Sequence, residues 1–468
     1  MAKNYFLLVS KITLFSLLLI SCKNDLTASD TAAYFGGEVE NPTSRFILFC
    51  KDGNIIDTIP LKKDNTFLKK IDSLPEGLYS FKNEPEYQYV YFDKNDSIMV
   101  HIDSNNFDES IVFCGRGGEK NNFLIEMFLK NEKDKNELFD AFNLNINAFN
   151  IKIDAIYGNN LKFYDAKKEE INWSAAFDKF ADALVNLPYY SKKEIYPTLH
   201  KLRTGEDTFE GLPKNYYNYR NNINLNNENL IYFSPYTSYI NMMLTNRATL
   251  KYHNHLSEVD AALRTAVNKL NSANTLIINK KVKNTVVNNI AFQYLLEDQN
   301  MVHVIDFLSV YKKISTDKSK KNEITNLGNS IQLLTAGKVL PSITLADSNG
   351  VKVSSSDLIN SKTVFFFWTE NLKSHFDGAH KKAVELQKKY PDFKFISINL
   401  DVNPNKWKTI ISDNLYATIK EYHCENFDEL KSKWAITKVH RTLIVNKNKT
   451  IKNGFSNMFD INFEKELY

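Results

Sequence analysis

The sequence predicts a multidomain α+β protein. It has an N-terminal antiparallel β-sandwich, a central α-helical region and a C-terminal α/β domain. Three patterns carry this prediction. Short β-branched and aromatic runs, separated by turn residues, fill positions 34–118. Apolar residues spaced three and four apart fill positions 119–335. Within positions 336–468, the run Val364-Phe-Phe-Phe-Trp368 reads as a strand covered on both faces, leading into a helix.

The first 21 residues read as a targeting segment. Lys3 and Lys11 precede Ile12–Ile20, an apolar stretch too short to span a bilayer. Leu19-Ile-Ser-Cys22 resembles the bacterial lipobox. The resemblance implies cleavage before Cys22, a lipid on its thiol, and a tether over 22–33. Such a chain is expected in the cell envelope, held to a membrane on its periplasmic side or at the cell surface. Removing Lys3 and Lys11 from the 59 basic residues leaves 57 against 55 acidic ones. That balance argues against a nucleic-acid partner. Cys50, Cys114 and Cys424 would then remain besides Cys22, an odd number that excludes a disulfide framework. Cys50 and Cys114 fall in one predicted domain and are candidates to pair.

In the β region, Arg45–Phe49, Tyr87–Phe92 and Ser97–Ile102 read as strands. Lys51-Asp-Gly-Asn54, Lys63-Asp-Asn65 and Asp93-Lys-Asn-Asp96 supply turns. Gly115-Arg-Gly-Gly118 lacks the Lys-Ser/Thr pair of a phosphate-cradling loop and is expected to be a turn. Helices are expected over 121–129, 173–187, 236–244, 255–270, 285–296 and 302–314. Pro188, Pro197, Pro213 and Pro235 are expected to break or start helices. Lys318-Ser-Lys-Lys321 is expected to be a solvated turn. The aromatic pairs Tyr189-Tyr190, Tyr216-Tyr217 and Tyr232-Phe233 suit either helix packing or a groove for peptide or glycan.

After the strand at 364–368, Thr369-Glu370-Asn371 offers turn and N-cap chemistry. Phe376, Ala379, Ala383, Leu386 and Tyr390 then share one helix face. Here the chain resembles the TlpA/ResA-like thioredoxin domains over about its last 130 residues. Gly337–Gly350 and Val353–Lys362 look like that family's opening hairpin. Phe367-Trp368-Thr369-Glu370 sits where the family carries Phe-Trp-Ala-x ahead of Trp-Cys-x-x-Cys. Asn371 takes the Trp place, Leu372 the first Cys place and His375 the second. Trp434–Val445 resembles the loop and strand around the family's cis-proline, and His440 stands at that proline. The β region loosely resembles the domain that precedes thioredoxin domains in lipoproteins of Bacteroidetes-type bacteria.

The resemblance alone implies a thiol–disulfide oxidoreductase of the envelope. Exchange needs an attacking thiolate and a resolving thiol, and neither Leu372 nor His375 supplies one. The expected protein is therefore a redox-inactive thioredoxin-like lipoprotein without a catalytic residue. Its expected role is adaptor binding of an envelope protein or peptide, with Leu372, His375 and His440 as vestigial positions. No cofactor is called for. Facing loops would bring His375 and His440 together, with Glu370, Asp377 or His380 as possible further ligands for zinc, copper or nickel. No Gly-x-Ser-x-Gly or His-Glu-x-x-His motif occurs, and Glu169-Glu170 reads as a solvated helix face.

Overall fold

The computed structural model describes residues 32–83, 86–209, 211–250, 258–297, 300–370, 372–401, 403–412, 416, 418–460 and 462–468. The leader, the lipobox and Cys22 lie outside the described residues. The chain divides into two compact units. One runs to Glu126 and takes in Ile171–Asp178. The other comprises Met127–Glu170 and Lys179–Tyr468.

In the first unit, β1 is Ala33–Glu40, β2 Phe46–Lys51, β3 Asn54–Pro60 and β4 Thr66–Ile71. β5 is Gly77–Asn83, β6 Glu86–Phe92, β7 Ser97–Asp103 and β8 Val112–Cys114, with a short helix α1, Phe107–Ser110, before β8. They form two four-stranded sheets, ordered β4-β1-β7-β8 and β3-β2-β5-β6. All pairs are antiparallel except β1 with β7, which run parallel. No hairpin joins those two strands, so nothing local dictates their direction.

Aromatic rings from both sheets make the core. Phe35 lies 5.3 Å from Phe49 and from Phe67, 5.6 Å from Phe81 and 5.9 Å from Phe92. The turn residues act as the sequence suggests. Asp52 and Gly53 both have positive φ between β2 and β3, the backbone of a tight hairpin. A Cβ on Gly115 would lie 2.2 Å from the Ser97 carbonyl oxygen, so that turn has room only for glycine. Helix α2, Gly118–Glu137, starts there. Its Asn121 side chain bonds both backbone groups of Tyr91, closing the free edge of β6. Lys120 is buried between Asp93 at 2.5 Å and Asp96 at 2.6 Å. Burial raises the Asp96 pKa, against the pull of Lys120. Cys50 is buried in β2, Cys114 is exposed in β8, and both are free thiols. They do not form the pair that the sequence allowed.

The second unit takes in α3 Ile146–Ile171 as far as Glu170, α4 Ala175–Thr204 from Lys179 onward, α5 Ser234–Leu250, α6 Glu258–Leu276, α7 Lys280–Glu297, α8 Met301–Ile314 and α9 Lys318–Leu333. Three expectations need correction. Helix α3 was not anticipated as a helix in its own right. Its buried stripe of Phe149, Ile153, Asn160 and Tyr164 puts an amide at a core position, which hides the periodicity. Asn160 spends that amide on buried Asp134, at 3.0 Å. Lys318–Lys321 is not a turn but the first turn of α9, where Asp317 caps the Lys320 N–H.

Pro188 and Pro197 do not break the chain; both sit inside α4. A proline offers no N–H to the carbonyl four residues before it. For Pro188 that carbonyl is Leu184, and it accepts from Asn131 Nδ2 at 3.2 Å. For Pro197 it is Lys193, and it accepts from the Tyr216 hydroxyl at 3.1 Å. Nearby, the buried Glu194 carboxylate is held bidentately by Arg220, at 2.8 and 2.5 Å, and by Asn246 at 3.0 Å. The pairs Tyr189-Tyr190 and Tyr216-Tyr217 pack near these groups, whereas Phe233 packs on Phe180 at 5.7 Å and Tyr232 is exposed. Tyr190 stacks on Tyr219 at 4.7 Å, and Lys193 lies over the Tyr216 ring at 4.9 Å.

The C-terminal sheet has seven strands: β9 Thr344–Ala346, β10 Lys352–Ser354, β11 Lys362–Trp368, β12 Phe393–Asn399, β13 Lys420–Cys424, β14 Thr442–Val445 and β15 Ile451–Ser456. Their order is β10-β9-β13-β12-β11-β14-β15. β11 and β13 run parallel to β12, whereas β14 runs antiparallel to β11. Helices α10 Lys373–Lys389, α11 Pro404–Ser412 and α12 Phe427–Trp434 connect them. The sheet and α6–α9 share the second unit; Lys431 of α12 meets Glu323 of α9 at 3.2 Å.

The borrowed bond at Pro197 is testable. Tyr216→Phe leaves the Lys193 carbonyl without its donor and is expected to lower stability by about 1–2 kcal/mol. Chemical denaturation measures it, and an unchanged midpoint would show that the bond contributes nothing.

Candidate functional site

The site is built from β11 upward. Its side chains alternate between two covered faces. Val364 and Phe366 join Ala379, Ala383 and Leu386 of α10 in one core cluster. Phe365 and Phe367 face Trp434 of α12, at 5.1 and 6.3 Å between rings. Each buried ring contributes roughly 1.5–3 kcal/mol. The strand therefore delivers the chain to one fixed point at its C-terminal end.

There the backbone turns. The Leu372 N–H bonds the Thr369 carbonyl at 3.3 Å, and the Phe376 N–H bonds the Leu372 carbonyl at 2.9 Å. Leu372 itself is the N-cap of α10 and makes no side-chain cap bond. This corrects the expectation that the Thr369–Asn371 block caps the helix. Asn371 lies outside the described residues. A neighbouring carboxylate organises the turn instead: Asp401 accepts from the Glu370 N–H at 2.8 Å and from Asn399 Nδ2 at 2.7 Å. Burial raises the Asp401 pKa, and those hydrogen bonds act against it.

The first turn of α10 carries His375, whose Nε2 bonds the Phe367 carbonyl at 3.1 Å. A carbonyl only accepts, so Nε2 donates and only Nδ1 keeps a free lone pair. The opposite wall is the loop from α12 to β14. Ala435 ends α12 in the left-handed region, at φ 49°. Arg441 anchors the loop. Its Nε donates to the Gly454 carbonyl at 3.0 Å, another N–H reaches the Ala435 carbonyl, and the guanidinium lies 3.9 Å from the Phe455 ring. Burial pulls its pKa down to about 9, which leaves it charged at neutral pH.

His440 rides on this loop and is exposed. Its pKa lies below the ordinary value of 6.5, through burial first, then the charge of His375, then Lys438. The charge of His375 is thus one of the influences on His440. The further metal ligands do not join them. His380 is fully buried, with Nδ1 donating to the Phe376 carbonyl at 2.8 Å and Nε2 meeting Glu421 at 2.8 Å and Ser397 at 3.2 Å. Among the described residues, no three His, Cys, Asp or Glu side chains converge on a metal-sized space. The other face of the corner is aromatic. Phe459, half exposed, lies 5.7 Å from the His375 ring. Its place was not foreseen, because it sits beyond β15 in a segment with no periodic signal.

Cys424 ends β13, with β12 lying between it and β11. It is 6% exposed, and burial pushes its thiol up to about 11. A thiol held there forms almost no thiolate at neutral pH.

Residues 360–451 match a family model described as thioredoxin-like. A solved structure of a candidate thiol–disulfide oxidoreductase from Bacteroides vulgatus is 18% identical, over 29% of this chain and 96% of that one, with a TM-score of 0.26. The thioredoxin domain of a thiol–disulfide oxidoreductase from Bacteroides vulgatus is 20% identical, over 25% and 86%, with a TM-score of 0.22. A thioredoxin-like protein from Bacteroides caccae is 17% identical, over 55% and 91%, with a TM-score of 0.35. No curated protein matches the sequence. The C-terminal domain is thus thioredoxin-like.

The lowered pKa of His440 has a measurable signature. A depressed folded pKa favours the neutral ring, so His440 contributes its stability above pH 6.5 and loses it as pH falls through the folded value. In an NMR titration, His440 is expected below 6.5, and His375→Ala is expected to raise it part of the way. An unchanged titration would show that the rings do not interact.

Proposed function

We propose that the protein is a membrane-anchored envelope lipoprotein whose thioredoxin-like domain has lost thiol–disulfide exchange and serves as an adaptor for an envelope protein or peptide. One observation carries this reading. Leu372 occupies the N-cap of α10, and the first helical turn offers His375 where exchange chemistry needs sulfur. The helix terminus would favour a thiolate, and no thiol is there to profit. Among the described residues, Cys424 is buried and separated from β11 by a strand, and Cys50 and Cys114 belong to the other unit.

Leu372 and His375, with half-exposed Phe459 and exposed His440, make a mixed apolar and imidazole surface. Such a surface suits contact with a peptide better than redox chemistry. No described helix is long and apolar enough to cross a membrane. In this reading the anchor is the lipid on Cys22.

The second reading, an envelope thiol–disulfide oxidoreductase, is favoured by the thioredoxin-like match at 360–451. Insulin reduction separates the two. The purified protein is expected to show no turnover above the dithiothreitol background, in both wild type and Cys424→Ser. Robust turnover that survives Cys424→Ser would overturn the adaptor reading. Anchoring is tested separately. Cys22→Ser is expected to abolish palmitate labelling and release the protein from membranes; a variant that stays labelled would refute lipid attachment at Cys22.

A further inference from the structure

A cavity of about 410 Å³ lies inside the second unit, between α2, α4 and α5. The sequence spacing explains it. Leu184, Pro188, Lys192, Ile195, Leu199 and Arg203 recur every three or four residues and form one stripe of α4. Phe128 from α2, Phe139 beyond it and Met242 from α5 supply most of the opposite lining. At Pro188 the helix has no N–H, and Asn131, itself a lining residue, reaches across to the Leu184 carbonyl at 3.2 Å. That polar bond is satisfied within the wall and asks nothing of an occupant.

The charged groups in the wall are unequal. Three cations, Lys135, Lys192 and Arg203, face one carboxylate, Glu132. Lys135 pairs with Glu132. The Arg203 guanidinium lies 3.9 Å from the Phe139 ring and donates to the Phe139 carbonyl. Lys192 alone of the four makes no hydrogen bond or ion pair with any described residue. Its pKa lies below the ordinary lysine value, through burial first, with Asp134 acting the other way without pairing. A half-buried ammonium with no partner is costly to keep unless something completes it.

We infer that this cavity binds a single-chain anionic amphiphile, a fatty-acid-like carboxylate, with its chain along the apolar walls and its head on Lys192. The volume falls near the lower end of the range of about 300–1,000 Å³ typical of small-molecule sites, so it suits one acyl chain rather than a two-chain lipid. The surplus of positive charge selects an anion, and the apolar lining selects a long tail over a small ion. This site is separate from the imidazole cleft, and the inference holds whether or not that cleft is redox-inactive.

Calorimetric titration of the purified full-length protein with dodecanoate, below its micellar concentration, tests it. Dodecanoate is expected to bind once per chain. Butanoate, which has the head without the tail, and dodecyltrimethylammonium, which has the tail with the opposite charge, are each expected to bind at least thirtyfold more weakly. Lys192→Met is expected to weaken dodecanoate about tenfold or more without lowering the melting temperature, because it removes an unpaired charge. Leu199→Trp, which fills the cavity, is expected to abolish binding. The inference fails if dodecyltrimethylammonium binds as tightly as dodecanoate, if butanoate does, or if folded Lys192→Met binds like the wild type. The ligand comparison on the wild-type protein stands even if a variant does not fold.

Discussion

The two-sided pairing of β11 is the constraint on which the C-terminal half depends. Seven residues from Lys362 to Trp368 pair in parallel with Phe393–Asn399, and four of them pair antiparallel with Thr442–Val445. With both edges and both faces occupied, the strand has no freedom of register, since a slip of one residue would turn every ring to the wrong layer. The end of β11 sets where α10 begins, and β14 brings the His440 loop to the same corner. Function here is a matter of which side chains the chain places at a fixed location.

What the sequence showed and what it hid follow from the range of the interactions. The apolar run at 364–368 and the stripe at Ala379, Ala383 and Leu386 are local patterns, and both were legible. The fate of His380 was not. It lies one position along from Ala379, on the buried side, and its partner Glu421 is 41 residues away. No local pattern says that the ring will turn inward to a carboxylate rather than outward as a ligand. The cap at Leu372 was hidden for a similar reason: Asp401, 31 residues on, takes over the hydrogen bonding of Glu370.

The helical region makes the same point with backbone groups. Lone prolines in a periodic stretch read as helix ends, and that rule fails only where other parts of the fold replace the missing bonds. The amide at Asn160 broke the apolar spacing of α3 in the same way, through a partner on α2. In the β unit, by contrast, the turns rest on backbone conformations that Asp-Gly and Gly-x-Gly adopt readily, and the sequence located them well.

The middle of α4 therefore has a topology of its own. Its two vacated carbonyls receive their protons across 53 and 23 residues of chain. A peptide cut to the helix alone would carry both vacancies exposed to water and would bend or fray at each. The longest helix in the described chain is thus a collective product, complete only when α2 and the tyrosine segment after it have been laid alongside.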